Sequence, residues 1–131
     1  AQAGDTVRIR FTNNLTQPTN LHYHGLHVTP VGNADNAFLD IPPRESLTYE
    51  FTLPKNHPSG TFWYHPHRHG YVAEQVFGGL AGLFIVRGEL DEIPEIQAAK
   101  EELLILQDFA LDGNGRIQSP NHMDMMMGRE G

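Results

Sequence analysis

The chain of 131 residues contains no cysteine. It can therefore form neither a disulfide framework nor a thiolate metal site, and this absence alone does not identify a redox compartment. Any metal that the chain binds must be held by imidazole, carboxylate or thioether groups.

Positive charge is scarce and long apolar runs are missing. Nine Lys and Arg face sixteen Asp and Glu, which gives a net charge of -7, and no basic cluster offers a surface for phosphate groups. Runs such as GLAGLFIV, residues 79–86, are far shorter than the ~20 apolar residues that cross a bilayer, and no charged and then apolar leader opens the chain. We expect neither a nucleic acid partner nor a membrane partner.

Short β-strands dominate the pattern that remains. Val7, Ile9 and Phe11 alternate with polar residues, as in a strand with one face on a core. Further strands are predicted at residues 20–24, 47–53, 61–65, 83–88 and 102–109, with a helical turn or two at 72–77. Pro and Gly loops between them favour an all-β antiparallel sandwich or barrel. Phe62 and Trp63 point to opposite faces of their strand, so we expect at least one fully buried ring there.

Two histidine pairs are the candidate metal ligands of the chain. His22 and His24 lie two residues apart in LHYHG, and His65 and His67 repeat this spacing in WYHPH. Alternate residues of a strand project to one face about 6.5 to 7 Å apart, so each pair presents two imidazoles side by side. Pro66 has no N–H to donate and favours a strand end, where sites are built. Imidazole without thiolate suits copper and zinc first, then iron and nickel.

The other histidines are weaker candidates. His27 and His69 extend the two pairs, but we expect them to bond backbone carbonyls or to support the ligands rather than to bind metal. His57, in the turn PKNHPSG, is expected to be solvated, and His122 has no assigned role.

The motifs around the two pairs resemble those of a known family. In LHYHG, GTFWYHPHRHG and AEQVFGGLAGLFIV the chain is similar to the first cupredoxin domain of the multicopper oxidases, above all their laccase-like and cuprous-oxidase branch. LQDFALDGNGRI and MDMMMGREG resemble the crossing into the family's second domain. The resemblance implies a Greek-key β-sandwich at residues 1–95, with its first strand cut short. Residues 96–131 would be a connection and the start of a second cupredoxin domain.

The resemblance also implies copper ligands, residue by residue. The family reduces O2 at three coppers held by histidines from four HxH motifs, two in its first domain and two in its last. By position, His22 corresponds to a ligand of the mononuclear type 2 copper. His24, His65 and His67 correspond to ligands of the binuclear type 3 pair, and His69 falls outside the set. Each HxH motif thereby serves two coppers of one cluster.

An acid near the cluster is a further feature that the resemblance implies. The family places it in the loop after the first HxH motif, where it passes protons to reduced oxygen. Asp35 in GNADNAF is the nearest equivalent and our candidate proton donor, although the loop is slightly longer than usual and Asp40 competes. An Asp that opens an Asx turn explains Asp35 equally well.

The departures from the family pattern define what the chain lacks. The family takes electrons through a type 1 copper bound by a cysteine in the last domain, and neither that cysteine nor the last two HxH motifs occur here. We therefore expect a piece of a longer protein, inactive alone. The remaining cupredoxin domains or another chain would complete its centre, and a homo-oligomer is a further option. The resemblance implies a periplasmic or secreted protein.

All four methionines lie in HMDMMMG, between Met123 and Met127. Thioethers favour Cu(I), so a cuprous site is one interpretation. The resemblance places the cluster at an interdomain connection, where flexible Met side chains fill gaps, and we expect packing rather than metal binding.

The predicted function is that of a copper oxidoreductase. It would couple one-electron oxidation of phenols, bilirubin-like molecules or cuprous ions to the reduction of O2 to water. A copper-binding carrier without turnover is the alternative. The intact HxH pairs argue against the non-catalytic cell-division branch of the fold, and the GLAGLFIV context argues against a superoxide dismutase-like sandwich. The reducing substrate is not identified, because its pocket lies beside the absent type 1 site.

Overall fold

The computed structural model describes residues 1–118 and contains two antiparallel β-sheets. Five strands follow one another along the chain: β1 Thr6–Thr12, β2 His22–His24, β3 Ser46–Thr52, β4 Gly60–His65 and β5 Gly82–Val86. One sheet is β1-β3, and the other has the order β2-β4-β5. Helix α1, Val72–Phe77, lies between β4 and β5 in the chain, and a 3₁₀ turn at Glu89–Glu92 and helix α2, Pro94–Ala98, follow β5. The predicted all-β sandwich is confirmed.

The period-two pattern of β1 and β3 separates an apolar face from a polar face. In their register Ile9 lies opposite Tyr49 and Arg8 lies opposite Glu50. Tyr49 is buried, whereas the Arg8 Nε–H donates to Glu50 Oε2 at 2.6 Å on the exposed face. The apolar residues of both strands therefore meet the second sheet, and the charged pairs face solvent.

Aromatic rings from both sheets fill the core. The Tyr23 ring of β2 lies 5.7 Å from the Tyr49 ring and 4.6 Å from the Phe51 ring of β3, measured between centroids, and all three residues are buried. The expectation of a fully buried ring at Phe62 or Trp63 is wrong. Phe62 is partly buried at the margin of the core, and Trp63 lies 37% exposed on the opposite face of its sheet.

Two glycines permit the turn and the close approach that the three-stranded sheet requires. Gly25 directly follows β2 with a φ of +86°, and a Cβ there would lie 3.1 Å from Phe62 Cδ1. Gly82 in β5 lies against the Tyr64 ring of β4 so closely that a Cβ would overlap the ring. A side chain at Gly25 would be strained, and one at Gly82 would push β5 away from β4.

The predicted strand at residues 102–109 is wrong. This segment has no regular secondary structure and makes no backbone-to-backbone hydrogen bond within the part of the chain that the structure describes. Its apolar side chains remain exposed, up to 95% at Leu106, because no neighbouring strand pairs with it. His122 and the methionines between Met123 and Met127 lie outside the described residues. Within residues 1–118, no helix is long and apolar enough to cross a membrane.

Two buried tyrosines give a matched test of the core. The Tyr49 hydroxyl accepts a hydrogen bond from the buried Leu21 N–H at 2.8 Å, and burial raises the pKa of Tyr49 to about 12. The buried Tyr23 hydroxyl has no hydrogen-bond partner among the described residues. Tyr49→Phe should lower the free energy of unfolding by about 1–3 kcal/mol, because it leaves the Leu21 N–H unpaired.

Tyr23→Phe removes a hydroxyl from the same core without breaking a hydrogen bond, so its unfolding free energy should stay within about 0.5 kcal/mol of the parent or rise. Urea denaturation monitored by circular dichroism measures both values. Equal losses in the two variants would contradict this account of the core.

Candidate metal centre

Four aromatic side chains form a square on the outer face of the three-stranded sheet: His22, His24, Trp63 and His65. In the antiparallel register of β2 and β4, His22 lies opposite His65 and His24 lies opposite Trp63. Tyr23 alternates with the two histidines of β2 and points to the core, where it is buried. Because alternate residues share a face, the four rings project away from the core together.

Three imidazoles of this square converge. The ring centroids of His22, His24 and His65 lie 5.3 to 5.5 Å apart. Each residue offers one ring nitrogen, and these three nitrogens all lie within 4.8 Å of one another. His24 Nδ1 is 3.3 Å from His65 Nε2. This spacing allows the three side chains to bind a metal ion.

His67 lies beside this set, beyond the strand end that Pro66 marks. Its ring centroid is 5.2 Å from that of His22 and 6.1 Å from that of His65. The His67 N–H donates to Asn20 Oδ1 at 2.7 Å, which fixes the backbone at this point. All four predicted ligands are therefore neighbours, and three of them have convergent nitrogens.

Hydrogen-bond partners select the nitrogens that remain available to a metal. The His65 Nδ1–H donates to the Pro66 carbonyl at 2.9 Å, so the lone pair of this imidazole lies on Nε2. The His22 Nδ1–H donates to Asp35 Oδ1 at 2.9 Å, which likewise leaves Nε2 free. A metal-binding imidazole commonly donates its other N–H to a carboxylate or a carbonyl, and both residues fit that arrangement.

Of the two acids considered from the sequence, only Asp35 contacts the histidines. Its Oδ1 also accepts from the Tyr23 N–H at 2.8 Å, and only 11% of its side chain is exposed. Asp40 instead pairs with Arg68, whose Nε–H donates to Asp40 Oδ1 at 2.9 Å. The structure thus places Asp35 at the cluster, and its role in proton transfer stays a prediction.

The remaining histidines of residues 1–118 lie apart from the four. His57 is buried, not solvated as we expected from the sequence, because its two nitrogens serve as a structural bridge. Its Nδ1–H donates to the Pro58 carbonyl at 2.8 Å, and its Nε2 accepts from the His27 N–H at 3.0 Å. His27 and His69 are exposed, and in the described part of the chain neither ring contacts the four histidines.

Asn20 is a positioning residue that sequence reasoning missed. It is fully buried, and its Nδ2 donates to the carbonyls of Ala37 and Leu39 at 3.0 and 2.9 Å while its Oδ1 accepts from the His67 N–H. It therefore ties the loop after Asp35 to the second histidine pair. The available signal was its position two residues before His22, which continues the alternation of β2.

Electrostatics keep His65 in the form that binds metal. Burial lowers the pKa of His65, and the neighbouring imidazoles of His22, His24 and His67 lower it further, against the opposing effect of the bond to Pro66. A neutral imidazole is the species that offers a lone pair to a metal.

Most of this chain matches the sequences of one known family. The sequence model of the family described as multicopper oxidase matches residues 1–91. The chain belongs to the multicopper oxidase family. The multicopper oxidase mco of Staphylococcus haemolyticus is 36% identical over 107 residues, which are 80% of this chain and 23% of that protein. Laccase-1 of Agaricus bisporus is 34% identical over 112 residues, which are 79% of this chain and 20% of that protein.

A solved structure of the family supports the fold. A variant of the McoA multicopper oxidase from Aquifex aeolicus matches with a TM-score of 0.75 and 30% identity, over 89% of this chain and 26% of that chain. The predicted cupredoxin-like Greek-key sandwich is therefore confirmed. This multicopper oxidase chain spans about a quarter of the length of such relatives.

The low pKa of His65 leads to a test in the metal-free chain. By NMR, the titration midpoint of the His65 ring should lie below the ordinary value of 6.5. Below that pH the unfolded chain binds more protons than the folded chain, so the free energy of unfolding should fall as the pH drops from about 6.5 through the His65 midpoint. His65→Asn should reduce this slope, and a midpoint above 6.5 would show that the ring is not desolvated.

Proposed function

We propose that this chain supplies half the histidine ligands of a trinuclear copper centre in a laccase-like multicopper oxidase. The observation that carries the proposal is the convergence of His22, His24 and His65 on one outer sheet face, with His67 beside them. Neutral imidazoles suit copper, and membership of the multicopper oxidase family favours copper over other metals that imidazoles bind. His22 is assigned to the type 2 copper, and His24, His65 and His67 to the type 3 pair.

Each ligand has a defined donor atom in this proposal. His22 and His65 bind through Nε2, because Asp35 and the Pro66 carbonyl occupy their Nδ1–H groups. His24 binds through Nδ1, the atom that faces His65 Nε2 at 3.3 Å, after the proton that Nδ1 donates to His65 has moved to His24 Nε2. The hydrogen bonds to Asp35 and Pro66 hold the His22 and His65 rings in place before the metal binds, so fewer side-chain motions must be lost on binding.

Copper held by His22, His24, His65 and His67 would supply one-electron redox chemistry for the reduction of O2, which with four electrons and four protons gives two molecules of water. The electrons would come from a phenolic, bilirubin-like or cuprous substrate at a type 1 site elsewhere in the oxidase, since this chain has no cysteine.

Asp35 is our candidate for the proton transfer that this chemistry requires. Its Oδ1 is occupied by the His22 Nδ1–H and the Tyr23 N–H. Its Oδ2 accepts no hydrogen bond from the described residues and is left to carry a proton. A carboxyl beside the cluster is thereby both an orienting group for His22 and a general acid.

The other half of the centre would face the outer sheet surface. His24 and His67 are exposed there, which leaves room for imidazoles from the remaining cupredoxin domains or from another chain. In this proposal residues 1–95 form the first cupredoxin domain, residues 96–131 lead into the second, and the whole oxidase is periplasmic or secreted.

A copper carrier without turnover is the second candidate. The exposure of His24 and His67 favours it, because an ion held by a half-open set of ligands passes readily to an acceptor. The two functions share the same ligands and differ in whether O2 is consumed when a phenolic reductant is added.

Removal of one histidine pair tests the ligand assignment. His65→Ala combined with His67→Ala should abolish copper uptake by the chain, measured by equilibrium dialysis and metal analysis, because two of four ligands are lost. The pair lies at a strand end on the outer face, so circular dichroism should show a folded sandwich. His27→Ala combined with His69→Ala is the matched control and should bind copper as the parent does. Copper retained at the parent stoichiometry after loss of His65 and His67 would refute the assignment.

Two substitutions separate the roles of Asp35. Asp35→Asn keeps an oxygen that accepts from His22 and Tyr23 but loses the acidic proton, so copper affinity should stay within about threefold. O2 consumption by the oxidase that contains this chain should fall about 10²–10⁴-fold. Asp35→Ala also removes the orienting bond and should weaken copper binding about 10–100-fold. Unchanged O2 consumption in Asp35→Asn would leave Asp35 with the orienting role only.

A further inference from the structure

Trp63 occupies the corner of the aromatic square that no histidine fills. It lies opposite His24 across the β2–β4 pairing and two residues before His65 on its own strand. The indole is stacked on the His65 ring at a centroid distance of 4.2 Å and an angle of 30°. The His24 ring lies 4.9 Å away, also at 30°. One indole therefore contacts both imidazoles whose nitrogens are 3.3 Å apart.

Core packing does not explain this position. Trp63 is on the face of the sheet that points away from the core, and 37% of its surface is exposed. On the side of helix α1 it borders an apolar hollow whose other walls include Val72, Val76 and Phe77. The largest side chain of the strand thus remains partly in solvent while its ring lies against two histidines.

The imidazoles need such a contact to hold their orientation. The torsion that turns a histidine ring about its Cβ–Cγ bond has broad minima, so staggered rotamers alone do not fix the ring plane. His65 is held in addition by its bond to the Pro66 carbonyl. The only hydrogen-bond partner of the His24 ring in the described residues is the His65 ring, so stacking contributes more to the orientation of His24.

We propose that Trp63 is a positioning residue of the copper site. Its indole keeps the His24 and His65 rings at a small angle to its own plane, so that His24 Nδ1 and His65 Nε2 face each other before metal binds. This inference rests on the proposed copper function, and it assigns the indole an effect on metal affinity and site geometry beyond that of a packing residue.

The parent chain provides its own first measurement, because Trp63 is the only tryptophan. Cu²⁺ bound at His24 and His65 would lie next to the indole and quench its fluorescence. Titration of the chain with Cu²⁺ should give saturable quenching, and His24→Ala should weaken it strongly. A parent chain that shows no quenching and no bound copper by dialysis would overturn the copper function, and this inference with it.

Variants at Trp63 isolate the positioning role. Trp63→Leu should weaken Cu²⁺ binding about 10–100-fold in competition with a chromophoric chelator, as losses of groups that orient metal ligands do. Trp63→Phe keeps a flat ring against the imidazoles and should restore affinity to within about threefold of the parent. The electron paramagnetic resonance spectrum of bound Cu²⁺ should be altered and broadened in Trp63→Leu and close to the parent in Trp63→Phe.

Leu83→Ala is the control for loss of bulk on the same sheet face. Leu83 pairs with Trp63 across β4 and β5 and is not one of the proposed copper ligands, so this variant should lose stability but keep copper affinity. Parent-like affinity and spectrum in Trp63→Leu would overturn the positioning role while leaving the copper function intact. Equal losses of affinity in Trp63→Leu, Trp63→Phe and Leu83→Ala would also overturn it, since sheet stability alone would then explain the effect.

Discussion

The pairing of His22 with His65 across two antiparallel strands is the contact on which the site depends. This register places His24 opposite Trp63 and turns Tyr23 and Tyr64 to the core side. Because side chains alternate between faces, a slip of one residue would move an imidazole into the core and a tyrosine out of it. The apolar core therefore supports the geometry of the histidine cluster, since burying Tyr23 against Tyr49 and Phe51 keeps His22 and His24 on the outer face.

The site has an inner side held by hydrogen bonds and an outer side exposed to solvent. On the inner side, hydrogen bonds from His22 to Asp35, from His65 to Pro66 and from the His67 backbone to Asn20 fix these histidines to buried or loop groups. On the outer side, the rings of His24 and His67 are exposed, and the described residues place no further metal-binding group against them. Such an arrangement suits a centre shared with a second surface. Its inner half is preorganised, and in the proposed function its outer half would receive imidazoles from the rest of the oxidase.

Sequence reasoning predicted the strands and the histidine pairs, because both follow from alternation along a single strand. It failed where contacts join distant segments. His57 looks solvated in its Pro and Gly turn, yet the His27 N–H and the Pro58 carbonyl satisfy both of its nitrogens and let it be buried. The apolar run ending at Phe109 has the composition of a strand, but a strand forms only beside a partner. The roles of Asn20 and Trp63 beside the histidines were not predicted, because they arise from contacts between distant segments that no local pattern encodes.

The central claim is that copper binds at the square formed by β2 and β4. Anomalous diffraction at the copper absorption edge, on crystals of the copper-loaded chain, tests it most directly. The account predicts an anomalous peak within bonding distance of His24 Nδ1 and His65 Nε2, with His22 Nε2 at the edge of the same cluster. A chain that crystallises with copper only at His27, His69 or the methionine segment, and with none between His24 and His65, would contradict it.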